Sequence, residues 1–460
     1  MTTAAPDAVR RRDYALTWVV GALLVLGVIV AAIGNEQRVQ DWDPQYTKVV
    51  VDRTEAYGGT FYENGLFNKG PLELILHRTG SVLLGDDGHW IWIAFVSALL
   101  SIAIAFAASA TARYTGAPPA LGAVVGVFAF LHFTFADADY SGVVYPRNIT
   151  VGLLSLVWLL LLSDRSWSTP RRRVITVASA AAILGLVVQS LLTGVFTAVV
   201  LLVAGYLLLR DRIPGWERLK LSGIAFVVGD VVFLSAVVWY AARGAFEEFW
   251  ASWFQYARYV AEGTEASLGS QLGLGWDSFY AYHERLPLVA AMIALFHVTL
   301  VMGWKGWTRR RRILFVAVSA WWVTAWIEMI LTQRYSSHYF SITAVPVTLM
   351  AALLVGMGYR LLTRAGAAPQ GRPWWPVVAT LVAIFMISPS SVGRAIYDTI
   401  HFQGTAYLDA IDDKFTTGNS RTARAVLDLY TDEGDPLLAW TNEPWPYLVL
   451  ERVSATRFPW

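Results

Sequence analysis

The sequence predicts an all-α polytopic membrane protein of about eleven transmembrane helices, with amphipathic helices in the first outer loop and a small extracytoplasmic C-terminal segment. Three observations predict it. First, of 460 residues 56% are hydrophobic and only 15% are charged, with mean hydropathy +0.47; a soluble domain is usually about one-quarter charged. Second, apolar runs approaching the roughly 20 residues that span a bilayer recur along the chain. Third, arginine-dense loops alternate with longer loops of mixed charge.

The runs lie at 14–33, 90–110, 119–135, 149–162, 174–189, 193–209, 221–242, 288–304, 313–331, 339–359 and 374–387. The first follows "RRRD". A cleaved signal peptide is the alternative there, but the run is long for a signal core and many spans follow it. The weakest boundary is 189–194, where two spans meet in a short turn. The 21 tryptophans and 20 tyrosines suit aromatic belts at both interfaces. The absence of cysteine excludes disulfides and thiolate chemistry.

One set of loops reads "RRRD" (10–13), "DRSWSTPRRR" (164–173), "RDRIPGWERLK" (210–220), "KGWTRRRR" (305–312) and "YRLLTRAGAAPQGR" (359–372). By the positive-inside rule these face the cytoplasm. The other set, 34–88, 136–148, 243–286, 332–338 and everything after 388, is rich in Asp, Glu, Tyr and Trp and faces outward. The N-terminus is then cytoplasmic and the C-terminus extracytoplasmic, in a plasma or inner membrane; the Ala/Val/Gly-rich helices point to a bacterial source. Residues 1–388 form the transmembrane domain, and 389–460 a small outer segment in which "YLDAIDDKF" and "RTARAVLDLYTDE" read as amphipathic helices.

A transporter more often carries polar groups near the midplane. Here the spans are almost uncharged, Asp230 and Glu328 being the main acidic exceptions. Polar residues gather instead at the outer rim, in four groups. In "QDWDPQYTK", Asp41 and Asp43 precede a helix-like run over 45–57. Asp43 before Pro44 is a common helix start; a carboxylate there also suits proton abstraction from an attacking hydroxyl. In "YENGLFNKGPLELILHR", Lys69 is either a lysine snorkelling at the headgroups or a point charge that holds a phosphate. Gly70 and Pro71 then set the turn and start a helix apolar enough to lie in the interface.

The third group, "FADADYSGVVYPRN", holds Asp137, Asp139 and Arg147, as a solvated loop or as a rim touching sugar or acceptor hydroxyls. The fourth, "TQRYSSHYF", places Arg334 and His338 four apart, on one face if helical. It is either an ordinary cationic loop with its aromatic belt or a bidentate phosphate grip with histidine or tyrosine donors.

The order of these pieces resembles the GT-C glycosyltransferases of the protein O-mannosyltransferase and lipid A aminoarabinose transferase type: one span, "WDPQY", "GGTFYENGLFNKGPL", many spans, then "RYSSHYF" opening a late span. The resemblance covers the first ~80 residues well and the late span and outer tail loosely. It implies a GT-C fold and inverting, metal-independent transfer from a polyprenyl-phosphate sugar outside the cytoplasm. No cofactor is required beyond that donor. The seven histidines show no paired ligand spacing.

By the same resemblance Asp43 is the catalytic base, and Lys69, Arg334, His338 and Tyr339 contact the donor phosphate. Asp41, Tyr62, Glu63, Asp137, Asp139 and Arg147 are candidates for the sugar and acceptor rim. The acceptor is a glycolipid, a polysaccharide or a protein; no nucleic acid is involved, and the protein is expected to be a monomer. Two departures from the pattern stand out. The family's Asp-Glu pair is Asp43-Pro44, and its Tyr-x-Asp is Tyr62-Glu63-Asn64. The chain reads as a short member or a shortened chain, because many relatives continue past this point. A transporter or flippase of lipid-linked sugars, and a non-catalytic envelope assembly protein, remain the rival functions.

Overall fold

The computed structural model describes residues 42–65, 70–85, 89–125, 146–210, 212–255, 267–282, 286–332 and 342–364, with isolated positions at 15, 18, 19, 22 and 340. The expected spans at 14–33 and 374–387, most of 119–135, and the segment 389–460 lie outside them.

Three helices precede the bundle: α1 (Trp42–Tyr57), α2 (Phe61–Asn64) and α3 (Pro71–Leu84). The bundle helices are α4 (His89–Thr115), α5 (Pro146–Leu162), α6 (Pro170–Ser190), α7 (Val195–Leu209) and α8 (Gly215–Ala242). After α9 (Phe246–Trp250) and α10 (Leu268–Tyr282) come α11 (Leu286–Gly303), α12 (Arg309–Thr332) and α13 (Ala344–Arg364). Among the described residues, seven helices are long and apolar enough to cross a membrane, and Ile149–Leu162 is a shorter apolar helix. The sequence runs fall on these helices, which extend them by a turn where arginines continue the helix, as at Arg309 and Pro170.

The core sits where α4, α5, α6, α7, α12 and α13 meet. Trp158 is fully buried, donates its Nε1–H to Thr111 Oγ1 (2.9 Å) and meets Trp321 edge-on at 6.1 Å. Alanines 105, 107, 108 and 112 on α4 are inaccessible. Small residues of this kind let helix backbones approach in a medium where van der Waals contact, not water exclusion, holds helices together. A Cβ on Gly152 would meet Leu100 Cβ at 2.4 Å, and one on Gly356 would meet Thr115 Oγ1 at 1.7 Å. By contrast α8 and α11 leave many of their apolar side chains exposed, among them Phe226, Val231 and Val238 on α8 and Leu295, Val298 and Val301 on α11, as a lipid-facing helix would.

At one end of the bundle three arginines converge on Asp164. Arg212 and Arg310 donate to its Oδ1 and Arg113 to its Oδ2, while the Tyr114 hydroxyl donates to the Leu162 carbonyl and accepts from Arg310. Beside it, Arg173 donates to both oxygens of Glu217 at 2.9 Å. The arginine-rich loops at 164–173, 210–220 and 305–312 therefore share one end, as their charge pattern requires.

Burial pushes the Asp164 carboxyl pKa up, but Arg212, Arg310 and Arg113 together outweigh it and hold the group below its usual range. A depressed carboxyl contributes stability that is present above the ordinary value of about 3.9 and lost as pH falls through the lower folded value. Asp164→Asn is expected to lower the melting temperature near neutral pH and to melt with the wild type once the medium is acidic enough to protonate Asp164. Melting both proteins in detergent across the acid range checks it; a gap that persists at the acid limit contradicts it.

Candidate functional site

The segment from α1 to α3 builds its shape from local rules. α1 buries Lys48, Val49, Val50, Val51 and Thr54, and Lys48 pairs with Asp52 one turn on. It ends at Gly58 and Gly59, both at positive φ (73° and 83°), a conformation glycine adopts without penalty. Asn64 Nδ2 then donates to the carbonyls of Gly58 (2.8 Å) and Thr60 (2.9 Å), closing the turn. Within the described residues α1 runs Trp42–Tyr57, so the helix includes Asp43 and Pro44 as well as the run expected over 45–57.

Two rim candidates have clear structural settings. Glu63 is exposed, and its carboxylate accepts the backbone N–H of Thr60, the return half of a capping box. Tyr62 is fully buried, edge-on to Tyr240 (5.0 Å) and Phe249 (5.2 Å). Burial first, then Tyr240 and Glu73, push its hydroxyl pKa well up, so it stays protonated. With Val50, Val51, Phe61, Leu74, Ala245 and Trp253 it forms a second core that ties the loop to the end of α8. Glu63→Ala is expected to cost about 1 kcal/mol of stability, the usual worth of a cap contact, with turnover nearly kept. Thermal unfolding beside activity checks it; a large loss of turnover without loss of stability would place Glu63 on substrate instead.

α3 buries polar residues beside apolar ones. Glu73, His77 and Ser81 are buried at i, i+4 and i+8, whereas Ile75, Val82, Leu83 and Leu84 are about half exposed or more. Leu74 is also buried, and Leu72 and Leu76 pack against the main core, so the helix presents a mixed face to the protein and its C-terminal turn, Val82–Leu84, outward. The sequence assigns no role to Glu73, His77 or Ser81, although their four-residue spacing on a largely apolar helix is the available signal.

The turn before α3 is fixed by contact rather than by φ. Gly70 has an ordinary φ of −74°, yet a Cβ there would lie 1.5 Å from the Gln189 carbonyl oxygen and 2.4 Å from its carbon. Its N–H donates to the Ser190 carbonyl at 3.3 Å. Ser190 Oγ in turn accepts from Thr150 Oγ1 (3.1 Å), three residues after Arg147 near the start of α5. Gln189 Nε2 donates to the Val232 carbonyl on α8. The short turn between α6 and α7, predicted only as a weak boundary, thus receives the turn that precedes α3. It lies at the opposite end of α6 from the arginine cluster.

No protein-family model matches the sequence, and no curated protein matches it. Solved structures do. ArnT from Cupriavidus metallidurans bound to undecaprenyl phosphate superposes with a TM-score of 0.59 at 17% identity, over 95% of this chain and 85% of ArnT. Its apo form gives 0.55 at 16% identity, over 96% and 86%. The chain has the GT-C fold. A looser likeness, with a TM-score of 0.47 and 14% identity over 94% of this chain and 64% of the other, is to AglB, an oligosaccharyltransferase from Archaeoglobus fulgidus in complex with an inhibitory peptide and a dolichol-phosphate.

Within this GT-C fold, Asp43 and Arg147 are placed by backbone only, each as the second residue of its helix, α1 and α5. Asp41, Lys69, Asp137, Asp139, Arg334, His338 and Tyr339 lie outside the described residues. Their flanks are placed: Gly70 follows Lys69 on the α6–α7 turn, and Thr332, the last residue of α12, stands two before Arg334.

Proposed function

We propose that this protein is an integral-membrane, inverting glycosyltransferase that moves a sugar from a polyprenyl-phosphate donor to an acceptor on the extracytoplasmic side. The observation that carries the proposal is the seat of Gly70 on the Gln189 and Ser190 carbonyls. It anchors the residue next to Lys69 at the end of the bundle remote from the arginine-rich loops. A lipid-borne phosphate rests at that level, with its chain among the helices. The undecaprenyl phosphate bound to ArnT, a protein of the same fold, supports this choice of donor.

In the reaction the acceptor oxygen attacks the anomeric carbon from the face opposite the phosphate. The bond between that carbon and the phosphate oxygen breaks, and its electron pair leaves with the phosphate. Asp43 takes the acceptor proton. Lys69 and Arg334, aided by His338 and Tyr339, stabilise the charge that grows on the leaving phosphate. Asp41, Asp137, Asp139 and Arg147 form the rim that meets sugar and acceptor hydroxyls, with Tyr62 and Glu63 shaping the loop behind them. Residues 1–388 carry the catalytic bundle and 389–460 an outer segment facing the acceptor, which is a glycolipid, a polysaccharide or a protein.

The test is to incubate purified protein with a panel of radiolabelled polyprenyl-phosphate sugars and an acceptor-rich envelope extract. Release of polyprenyl phosphate from one member of the panel is expected, and it names the sugar. Donor binding without cleavage would favour a transporter of lipid-linked sugars.

A further inference from the structure

The arginine-rich end of the bundle carries more positive charge than its own acids offset. Over 164–173, 210–220 and 305–312, thirteen Lys and Arg stand against Asp164, Asp211 and Glu217. Glu217 is taken by Arg173. Asp164 faces three guanidiniums. Arg212 holds its Oδ1 at 2.5 Å, but Arg113 and Arg310 stand off at 3.4 Å, beyond the roughly 2.7–2.9 Å of a full charge-assisted bond. Arg310 Nε, though buried, has no hydrogen-bond partner among the described residues. A fourth cation is close: Arg360 Cδ on α13 lies 3.7 Å from where a Cβ on Gly116 would sit, three residues after Arg113.

This surplus is within reach of a ligand. The side chains of Arg113, Arg212 and Arg310 are 31%, 24% and 32% exposed. It is also uphill for the fold, since Arg309 to Arg312 fill the first turn of α12, where the helix dipole favours anions and opposes cations. The surroundings say which anion fits. Trp216 and Leu219 at the start of α8, Met302 and Trp304 at the end of α11, and Leu361 beside Arg360 are all exposed at this end. Exposed tryptophan at the level of charged loops marks the headgroup layer. Arg312 lies over the Trp304 ring at 5.3 Å, which joins this apolar collar to the arginines. A small soluble anion would use the arginines alone; a phospholipid uses the arginines and the collar together.

We propose that Arg113, Arg212 and Arg310 form a binding site for the headgroup phosphate of an anionic phospholipid, with Asp164 as a built-in competitor that limits its strength. Basic pockets between membrane helices take such headgroups. The phosphate oxygens accept from Arg113 and Arg310, and the acyl chains lie along the exposed helix faces. The site is at the opposite end of α6 from the seat of Gly70, and it does not depend on the transfer chemistry proposed above.

The test is native mass spectrometry of the full, delipidated chain in detergent, titrated with phosphatidylglycerol or with phosphatidylcholine of the same acyl chains. The wild type is expected to hold phosphatidylglycerol more tightly, by about fivefold or more. Arg310→Gln is expected to weaken that binding about fivefold, the usual worth of one cation beside an anionic lipid surface. Arg113→Gln, on the other oxygen of Asp164, is measured beside it, so that the test stands if one variant is not recovered folded. Asp164→Asn is expected to tighten binding even though it loosens the fold, an opposite sign that a purely structural cluster does not give. Arg243→Gln, at the far end of α8 and stacked on Trp239, is expected to change nothing. Equal binding of the two lipids overturns the proposal, as does an Arg310→Gln and Arg113→Gln pair that binds like the wild type, or an Asp164→Asn variant that binds no tighter. Displacement of the lipid by equimolar inorganic phosphate overturns it too, since the ligand would then be a soluble anion.

Discussion

Gly70→Ala is expected to lower turnover on the order of 10²-fold and to cost about 1–3 kcal/mol of stability. Backbone strain is not the cause, since φ −74° and ψ 161° are open to alanine. The obstacle is the Gln189 carbonyl, 1.5 Å from where the methyl carbon would sit, with the Ser190 oxygen 3.0 Å away. Both are backbone atoms at the end of α6, so no rotamer change relieves the clash. Either the turn lifts away from α6 and loses the Gly70–Ser190 hydrogen bond, or the end of α6 shifts and disturbs Thr150 and Gln189 with it. The first route shifts the residue next to Lys69 and the second shifts the start of α7, so each would disturb the proposed donor phosphate site. Gly58 gives the contrast: its φ is +73°, but a Cβ there meets nothing within 4 Å. Activity assay beside thermal unfolding reads the result. Wild-type turnover by Gly70→Ala would mean that the seat on α6 has no part in catalysis.

That contact also shows where sequence reading stops. Periodicity and charge located the bundle helices because a membrane span imposes its length and composition on every residue within it. The alternating loops gave the ends, and Asp164 with Arg113, Arg212 and Arg310 at one end agrees with them. α10 falls inside the expected loop 243–286, and its exposed Leu272, Leu274 and Trp276 give it an apolar surface that the loop assignment alone did not predict. The "NKGPL" turn was legible as a turn, but not the reason for its glycine. Ser190, Gln189 and Thr150 are distant in sequence, and no local pattern encodes a contact across that gap. Glu328 was visible as an acid in an apolar run, whereas its partner Thr197 looked like any helix threonine. Tyr62 and Glu63 were read by analogy as rim residues, and packing gives them a buried core and a cap contact. Tertiary partners, unlike periods, have to be seen.

Asp43→Asn is expected to reduce kcat by about 10²–10⁴-fold while donor KM and the melting temperature stay close to wild type. The substitution separates the two roles that the Asp-Pro pair left open. If Asp43 serves only to start α1, the helix dipole there favours its negative charge by about 0.3–1 kcal/mol. Asparagine is nearly as good as aspartate at helix starts, so a purely structural Asp43 predicts a change of at most that size. Loss of a general base is of another order, because a hundredfold in rate is about 2.7 kcal/mol of activation free energy. A carboxamide accepts a hydrogen bond but takes no proton at neutral pH, so the acceptor hydroxyl would still dock and fail to be activated. Under the proposed mechanism donor binding is expected to survive, because the residues assigned to the phosphate, Lys69 and Arg334, are unchanged. The decisive readout is single-turnover release of polyprenyl phosphate beside equilibrium binding of the donor. Loss of the first with retention of the second makes Asp43 the base. Loss of neither leaves it a helix-start residue, and the proton must then go to another of the outer acids, Asp41, Asp137 or Asp139.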